Sequence, residues 1–329
     1  MNNIINTEKI VTTVSYERDK LIKISPKILF LGESLSYSIY KENEENIFNK
    51  FLGFEDNYDK RTVESLETEN IENLYIKHED FDKYSNDINK YLFSILNNKE
   101  NTPLIKSELM HELANDTMQD LLVGEVTKNK INHISEIVSS SVDFILNDSN
   151  ALKSMIEVTS HDYCTYTHSV DVSTYALAFG AYLGLSENQL KSIGKGAMLH
   201  DLGKKNIPLS ILNKKGKLSD EEFEIMKNHP SYGVDILREM GEEEEGVLSI
   251  VEQHHEKING KGYPKGLEYI QIHPFSQIVA ICDIFNALTT KRSYKEPMSS
   301  FEAIKLMYVH MKDELNLKLL AKFINFLKK

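Results

Sequence analysis

The chain has 329 residues, a formal charge of −12 and a hydrophobic fraction of 41%, enough length and apolar mass for two ordinary domains with a core each. That acidic balance excludes a broad nucleic-acid-backbone binder, which needs clustered Lys and Arg, so an anionic ligand would require a local basic site or a metal. Two cysteines, Cys164 and Cys282, each inside an apolar helical pattern, exclude a disulfide scaffold.

The amino terminus lacks the apolar run of a secretory signal, and no stretch approaches the ~18 apolar residues that span a bilayer. The expectation is a cytoplasmic protein with no membrane partner. Residues 1–97 are acidic and Asn-rich, with strand-like runs KILFLG (27–32) and NLYIK (73–77), which predicts a small α/β or mainly β amino-terminal domain. The polar segment NNKENTPL (97–104), with Pro103, predicts a linker, and residues 98–150 are read as that linker with connecting helices. Within them Leu109, Leu113, Met118, Leu121, Leu122, Val126, Ile131, Ile134, Ile137 and Val138 recur at helical spacing. The heptads are not sustained, so these helices are expected to pack on the domain that follows, 151–329, rather than form a dimerising coil.

In that third segment histidines and aspartates fall at particular helical positions. His168 opens the run His168, Val172, Tyr175, Phe179 on an apolar face; alone it reads best as a core histidine bonded to a neighbour. Ser186 and Gln189 form a capping box, and the helix they open carries Leu190, Ile193 and Ala197 inward before reaching HDLGK (200–204). His200 beside Asp201 joins a nitrogen donor to an oxygen donor able to bridge two ions, and Lys204 stands where an ammonium reaches a phosphate oxygen. Ser219 and Glu222 form a second capping box, whose helix should stop before Pro230 with His229 in its last turn. A final-turn histidine is also what the helix dipole alone favours.

Val247, Ile250, Val251 and His254 share one helix face, so His254 points inward, with His255 about 100° further round. Two adjacent imidazoles would repel if protonated, and a cation keeps both neutral. Asp283, with the small residues Ala280 and Ala287 on its face, is a carboxylate in an apolar helix and needs a counter-charge. Each of the seven has a bland reading; together they are the donor set of a helical metallohydrolase with two transition ions.

In order along residues 155–310, HDLGK, NHPSYGVDIL, HHEKINGKGYPKGL and ICDIFNALTTKRSYK resemble the HD-GYP family, a branch of the HD superfamily of metal-dependent phosphohydrolases that degrade cyclic di-GMP. The resemblance implies a mainly α fold, a helical HD-type metallohydrolase domain behind the amino-terminal one. It implies that His168, His200, Asp201 and Asp283 hold one ion, and that Asp201 bridges to a second ion held by His229, His254 and His255. Lys204 would meet the scissile phosphate, Gly262, Tyr263 and Pro264 would form the loop beside the dinucleotide, and Arg292 and Lys295 would contact its phosphates. The implied reaction is hydrolysis of cyclic di-GMP to linear pGpG, GMP or both, with iron or manganese favoured by the mixed His/carboxylate set.

Glycine at 262 is expected to permit a conformation or a close approach that a side chain would block, in a loop separate from the metal donors. Departures from the family pattern are Cys164, where some relatives place a third-ion glutamate, and Asn259 and Asn286, where aspartate is common. Cys164 favours two ions, and Asn259 and Asn286 bear on activity. Two other readings compete: a catalytically idle cyclic-dinucleotide receptor, and an HD-type nucleotidase, which would share HDLGK but has no use for Gly-Tyr-Pro. The arrangement of relatives implies a sensory or partner-binding role for 1–97, toward a second copy or another signalling protein.

Overall fold

The computed structural model describes residues 21–24, 35–43, 47–53, 71, 73–159, 165–291 and 296–328. They belong to two compact units, Met1–Tyr91 and Leu92–Lys329. In the first, β1 (Leu21–Ile24), β2 (Ile39–Glu42), β3 (Phe48–Leu52) and β4 (Leu74–Lys77) make an antiparallel sheet in the order β1-β4-β2-β3. In β3 the two ends, Phe48 and Leu52, are buried and Lys50 between them is exposed. Leu21, Tyr40, Phe48 and Tyr75 share a core. Phe48 meets Tyr75 edge-on at 4.9 Å, and the Tyr75 hydroxyl donates to Glu42 at 2.8 Å, satisfying the polar tip of a buried ring. The strand expected at 73–77 is β4, whereas the one expected at 27–32 lies outside the described residues.

Helix α1 (Phe81–Asn97) follows β4. In the second unit α2 (Pro103–Val123) starts at Thr102, whose hydroxyl accepts from the Ile105 amide. Pro103 is therefore the first residue of a helix, a position where its missing N–H costs nothing. Then come α3 (Lys128–Asn147), α4 (Ala151–Glu157), α5 (Thr165–Tyr182), α6 (Glu187–Leu199), a 3₁₀ turn (Leu202–Asn206), α7 (Leu209–Leu212) and α8 (Asp220–Met226). After them lie α9 (His229–Glu239), α10 (Glu245–Gln253), α11 (Pro274–Thr289), α12 (Ser300–His310) and α13 (Leu317–Phe326). Both expected capping boxes are formed.

Helix α5 is buried continuously from His168 to Gly180 and packs against α2, α6 and α11; buried polar groups on it are paired, as Asp171 is with His111 at 2.8 Å. Ile131, Ile134, Ile137 and Val138 of α3 are buried, and α3 packs on α6. The last helix closes the core: Phe323 lies edge-on to Phe179 of α5 at 5.0 Å and to Phe285 of α11 at 5.2 Å. No described helix is long and apolar enough to cross a membrane.

One expectation needs correction. His229 is not in the last turn of a helix: α8 stops at Met226, and His229 opens α9 with Pro230 behind it. Proline is tolerated in a helix's first turn, because the amide it lacks has no partner there. Pro230 thus starts a helix rather than merely ending one, and a dipole-favoured C-terminal histidine no longer explains His229.

Candidate metal centre

The seven predicted donors converge. Asp201, His229, His254 and His255 form one group and His168, His200 and Asp283 another, the donor atoms of each lying within 4.8 Å of one another. His168 comes from the first turn of α5, His200 caps the end of α6, Asp201 leads into the 3₁₀ turn, His229 opens α9, and Asp283 sits within α11. His254 caps α10 and His255 lies just beyond it, so the pair belongs to a turn rather than to a continuing helix.

Three of the imidazoles are held alike. The Nδ1–H of His200 donates to the Ala197 carbonyl at 2.6 Å, that of His229 to Met226 at 2.8 Å, and that of His254 to Val251 at 2.9 Å. Each acceptor lies three residues back. With the proton spent on Nδ1, each Nε2 turns a lone pair inward. Nε2 of His229 is 3.3 Å and that of His254 3.9 Å from Asp201 Oδ1, while His200 Nε2 is 3.4 Å from Asp201 Oδ2. His229 and His254 bring their Nε2 atoms within 3.2 Å of each other.

Across the site His168 Nε2 lies 3.0 Å from Asp283 Oδ1 and 3.9 Å from Asp201 Oδ2, and its Nδ1 meets Asn286 Oδ1 at 2.7 Å. His200 Nε2 and Asp201 Oδ1 are buried without a hydrogen bond. Lone pairs aimed at one another and at carboxylates in a buried site are a poor arrangement for an empty interior and a good one for cations. The donor set fits metal ions on that ground.

Electrostatics agree. Burial, with the neighbouring imidazoles of His255, His200 and His229, holds His254 well below the usual histidine range, and burial pushes His255 down to about 3. Both are neutral, as ligands must be. Burial disfavours charge on Asp201 too, yet Lys204 and His200 outweigh it and hold the carboxyl well below its ordinary range. For Asp283, burial is outweighed by the His168 hydrogen bond. His200 is raised: burial opposes its charge, and Asp201 overcomes that opposition.

A cleft of about 340 Å³ opens on the centre, lined by the donors His168, Asp201, His255 and Asp283, by Lys204, and by the apolar Ile284, Ala287, Leu288 and Met311. Lys204 Nζ rests 2.5 Å from Asp201 Oδ2. The next residue faces away: Lys205 Nζ donates to the carbonyls of Leu122 at 3.1 Å and of Gly124, at the end of α2.

Two glycines make the geometry possible. A Cβ on Gly203 would stand 1.9 Å from the His229 carbonyl oxygen and 2.4 Å from the Gly233 amide nitrogen, so only glycine lets the turn after Asp201 touch the start of α9. At Gly262 a Cβ would stand 2.3 Å from Lys257 N and 2.4 Å from Glu256 Cα. Close approach is the reason for that glycine. The contacted residues directly follow His255, so the loop is not separate from the donors as its place in the sequence suggests.

Tyr263 lies over His255, ring centroids 4.7 Å apart, and is followed by a cis peptide bond to Pro264. The sequence reading missed Glu256, a buried carboxylate that accepts from the Lys265 and Leu267 amides at 2.7 and 2.9 Å and buckles the loop. An acid beside two inward histidines was the available signal. Arg292, Lys295 and Cys164 lie outside the described residues.

A helical core with a buried His/Asp constellation opening on a lysine-bearing cleft defines a class, helical proteins with an interior centre suited to metal ions. Within it the chain belongs to the HD domain family, whose model matches residues 133–316. The chain is 37% identical over 175 residues to a cyclic di-GMP phosphodiesterase of Pseudomonas aeruginosa, covering 53% of this chain and 42% of that protein. It is 38% identical over 173 residues to a 3′3′-cGAMP-specific phosphodiesterase of Vibrio cholerae, covering 52% and 32%. The chain thus spans less than half the length of these curated relatives. A solved HDG"Y"P protein of Bdellovibrio bacteriovorus shares the fold, with a TM-score of 0.71 at 20% identity over 94% of this chain and 100% of that one.

Proposed function

We propose that the chain is a metal-dependent phosphodiesterase of cyclic dinucleotides, with cyclic di-GMP as substrate and linear pGpG, GMP or both as product. The observation that carries this is the inward convergence of the imidazole nitrogens on Asp201 beside Lys204. His168, His200, Asp201 and Asp283 would hold one ion, and Asp201, His229, His254 and His255 the other, iron or manganese in each case. When bound, such a pair supplies Lewis acidity and an activated water for in-line attack on phosphorus.

The chain's own groups do the rest. Asp201 presents one oxygen to each half of the centre. Lys204, already in the cleft, offsets charge developing on the phosphoryl oxygens. Tyr263, Gly262 and Pro264 shape the rim beside His255, while Ile284, Leu288 and Met311 give the substrate an apolar wall. Arg292 and Lys295 contact its phosphates, a reading that rests on the family pattern. An idle receptor has little use for seven converging donors, six of them buried and costly to maintain without ions. We place the protein in the cytoplasm, with residues 1–97 as its sensory or partner-binding domain.

The resemblance to a 3′3′-cGAMP-specific enzyme favours that dinucleotide as a second substrate. Manganese- or iron-loaded full-length protein should cleave cyclic di-GMP to products resolved by chromatography, in parallel with 3′3′-cGAMP and a nucleoside monophosphate. Cleavage of cGAMP alone would shift the substrate, cleavage of the monophosphate alone would select the nucleotidase, and tight binding without turnover would select the receptor.

A further inference from the structure

Behind His200, His229 and His254 stand backbone carbonyls. Behind His168 stands a side chain, Asn286, whose Oδ1 lies 2.7 Å from Nδ1 in a buried hydrogen bond between residues 118 apart in sequence. The two are only 3% and 2% exposed. On the other edge of the ring, Nε2 faces Asp283 and Asp201.

We propose that Asn286 is the positioning residue that sets the ion affinity of the His168, His200 and Asp283 half of the centre, and holds it below what a carboxylate in its place would give. The inference rests on the dimetal reading. The group behind a ligating imidazole does two things: it fixes which nitrogen carries the proton, and it tunes how much electron density the other nitrogen offers. An amide oxygen does the first as well as a carboxylate would. It contributes no negative charge to the second, nor to the compensation of a buried dication.

The effect is local because Asn286 bonds to one ligand. His168 belongs to the group with two imidazoles and Asp283; the other group has three imidazoles and Asp201, and two of those three, on His229 and His254, are backed by carbonyls. The structure therefore places a side chain, where the three others have a backbone carbonyl, behind one ligand only, and only there can a substitution add charge. Asn286→Asp changes charge at constant size, which separates tuning from packing.

The experiment titrates full-length protein with manganese(II), reading free ion by its EPR signal and bound ion by chelator competition. Asn286→Asp should tighten one bound ion by about 10- to 100-fold and leave the other within about twofold, and Asn286→Ala should loosen that same ion by about tenfold or more. Affinities that Asn286→Asp leaves unchanged, or shifts equally for both ions, would overturn the proposal. Should the aspartate variant not fold, an Ala variant with unaltered affinity overturns it alone. Folded wild type that binds no manganese or iron at all would overturn the dimetal reading instead, a result distinguishable from both.

Discussion

Asp201 is the only donor within ion-pair distance of imidazoles from both halves of the centre, with His168 and His200 near one oxygen and His229 and His254 near the other. Lys204 lines the cleft and pairs with Asp201 from outside the donor set. Asp201→Ala should therefore abolish turnover and most metal retention. Lys204→Ala should retain both ions, measured by metal analysis, and lose about 10²–10³ in kcat, the scale of one lost charge-stabilising donor. Equal metal content and equal activity in the two variants would refute these roles.

The imidazoles also set a pH dependence for metal-free protein. His254 and His255 are held below the unfolded value near 6.5, so between those limits the unfolded chain binds protons that the folded chain does not, and acidification destabilises. His200, raised, acts the other way: its stabilisation is present below about 6.5 and lost as pH climbs through its folded value. Asp201 and Asp283, held low, keep their contribution until pH falls below the ordinary carboxylate range. With two residues against one, Tm of the chelator-treated protein should drop from pH 7 to pH 5. Saturating metal should flatten the upper part of that slope, and His255→Asn should remove part of it. A Tm that rises on acidification would show that His200 dominates.

At the scale of elements, the loop from Glu256 to Gly266 and the end of α10 act as one piece. Glu256 holds two loop amides, and Gly262 presses on the backbone just after His255. Gly262→Val should thus weaken cyclic di-GMP binding and also cost metal on the His254–His255 side. A variant with full metal content and unchanged kinetics would sink this account. His168 and His254 were legible as inward-facing because helical periodicity fixes which face of a helix is buried, while the full donor set was legible through the order of the family motifs. The carbonyl anchors were not, since a backbone acceptor three residues back leaves no residue-type signature. His229 was misplaced because a proline reads equally as a stop and as a start. The small sheet was half legible: β4 is marked by the apolar run Leu74–Ile76, whereas β2 and β3 set charged and polar residues among few apolar ones.

At the scale of the molecule, a chain of net charge −12 gathers its donor chemistry into one cleft of the Leu92–Lys329 unit, and one contact ties that cleft to a distant part of the same unit. Lys205, whose ammonium is pushed down by burial and by Lys130, caps the carbonyl end of α2, a helix about 31 Å long by its 21 residues. Its neighbour in sequence is Lys204. Such a cap makes the melting of two segments a single event: the last turn of α2 cannot fray without releasing the 3₁₀ turn that begins at Leu202. Hydrogen exchange should find the amides of Leu202–Asn206 and of the final turn of α2 opening with one common free energy. Lys205→Met should split that unit into two, with the α2 end exchanging faster, whereas distinct protection in the wild type would mean that the two segments breathe independently.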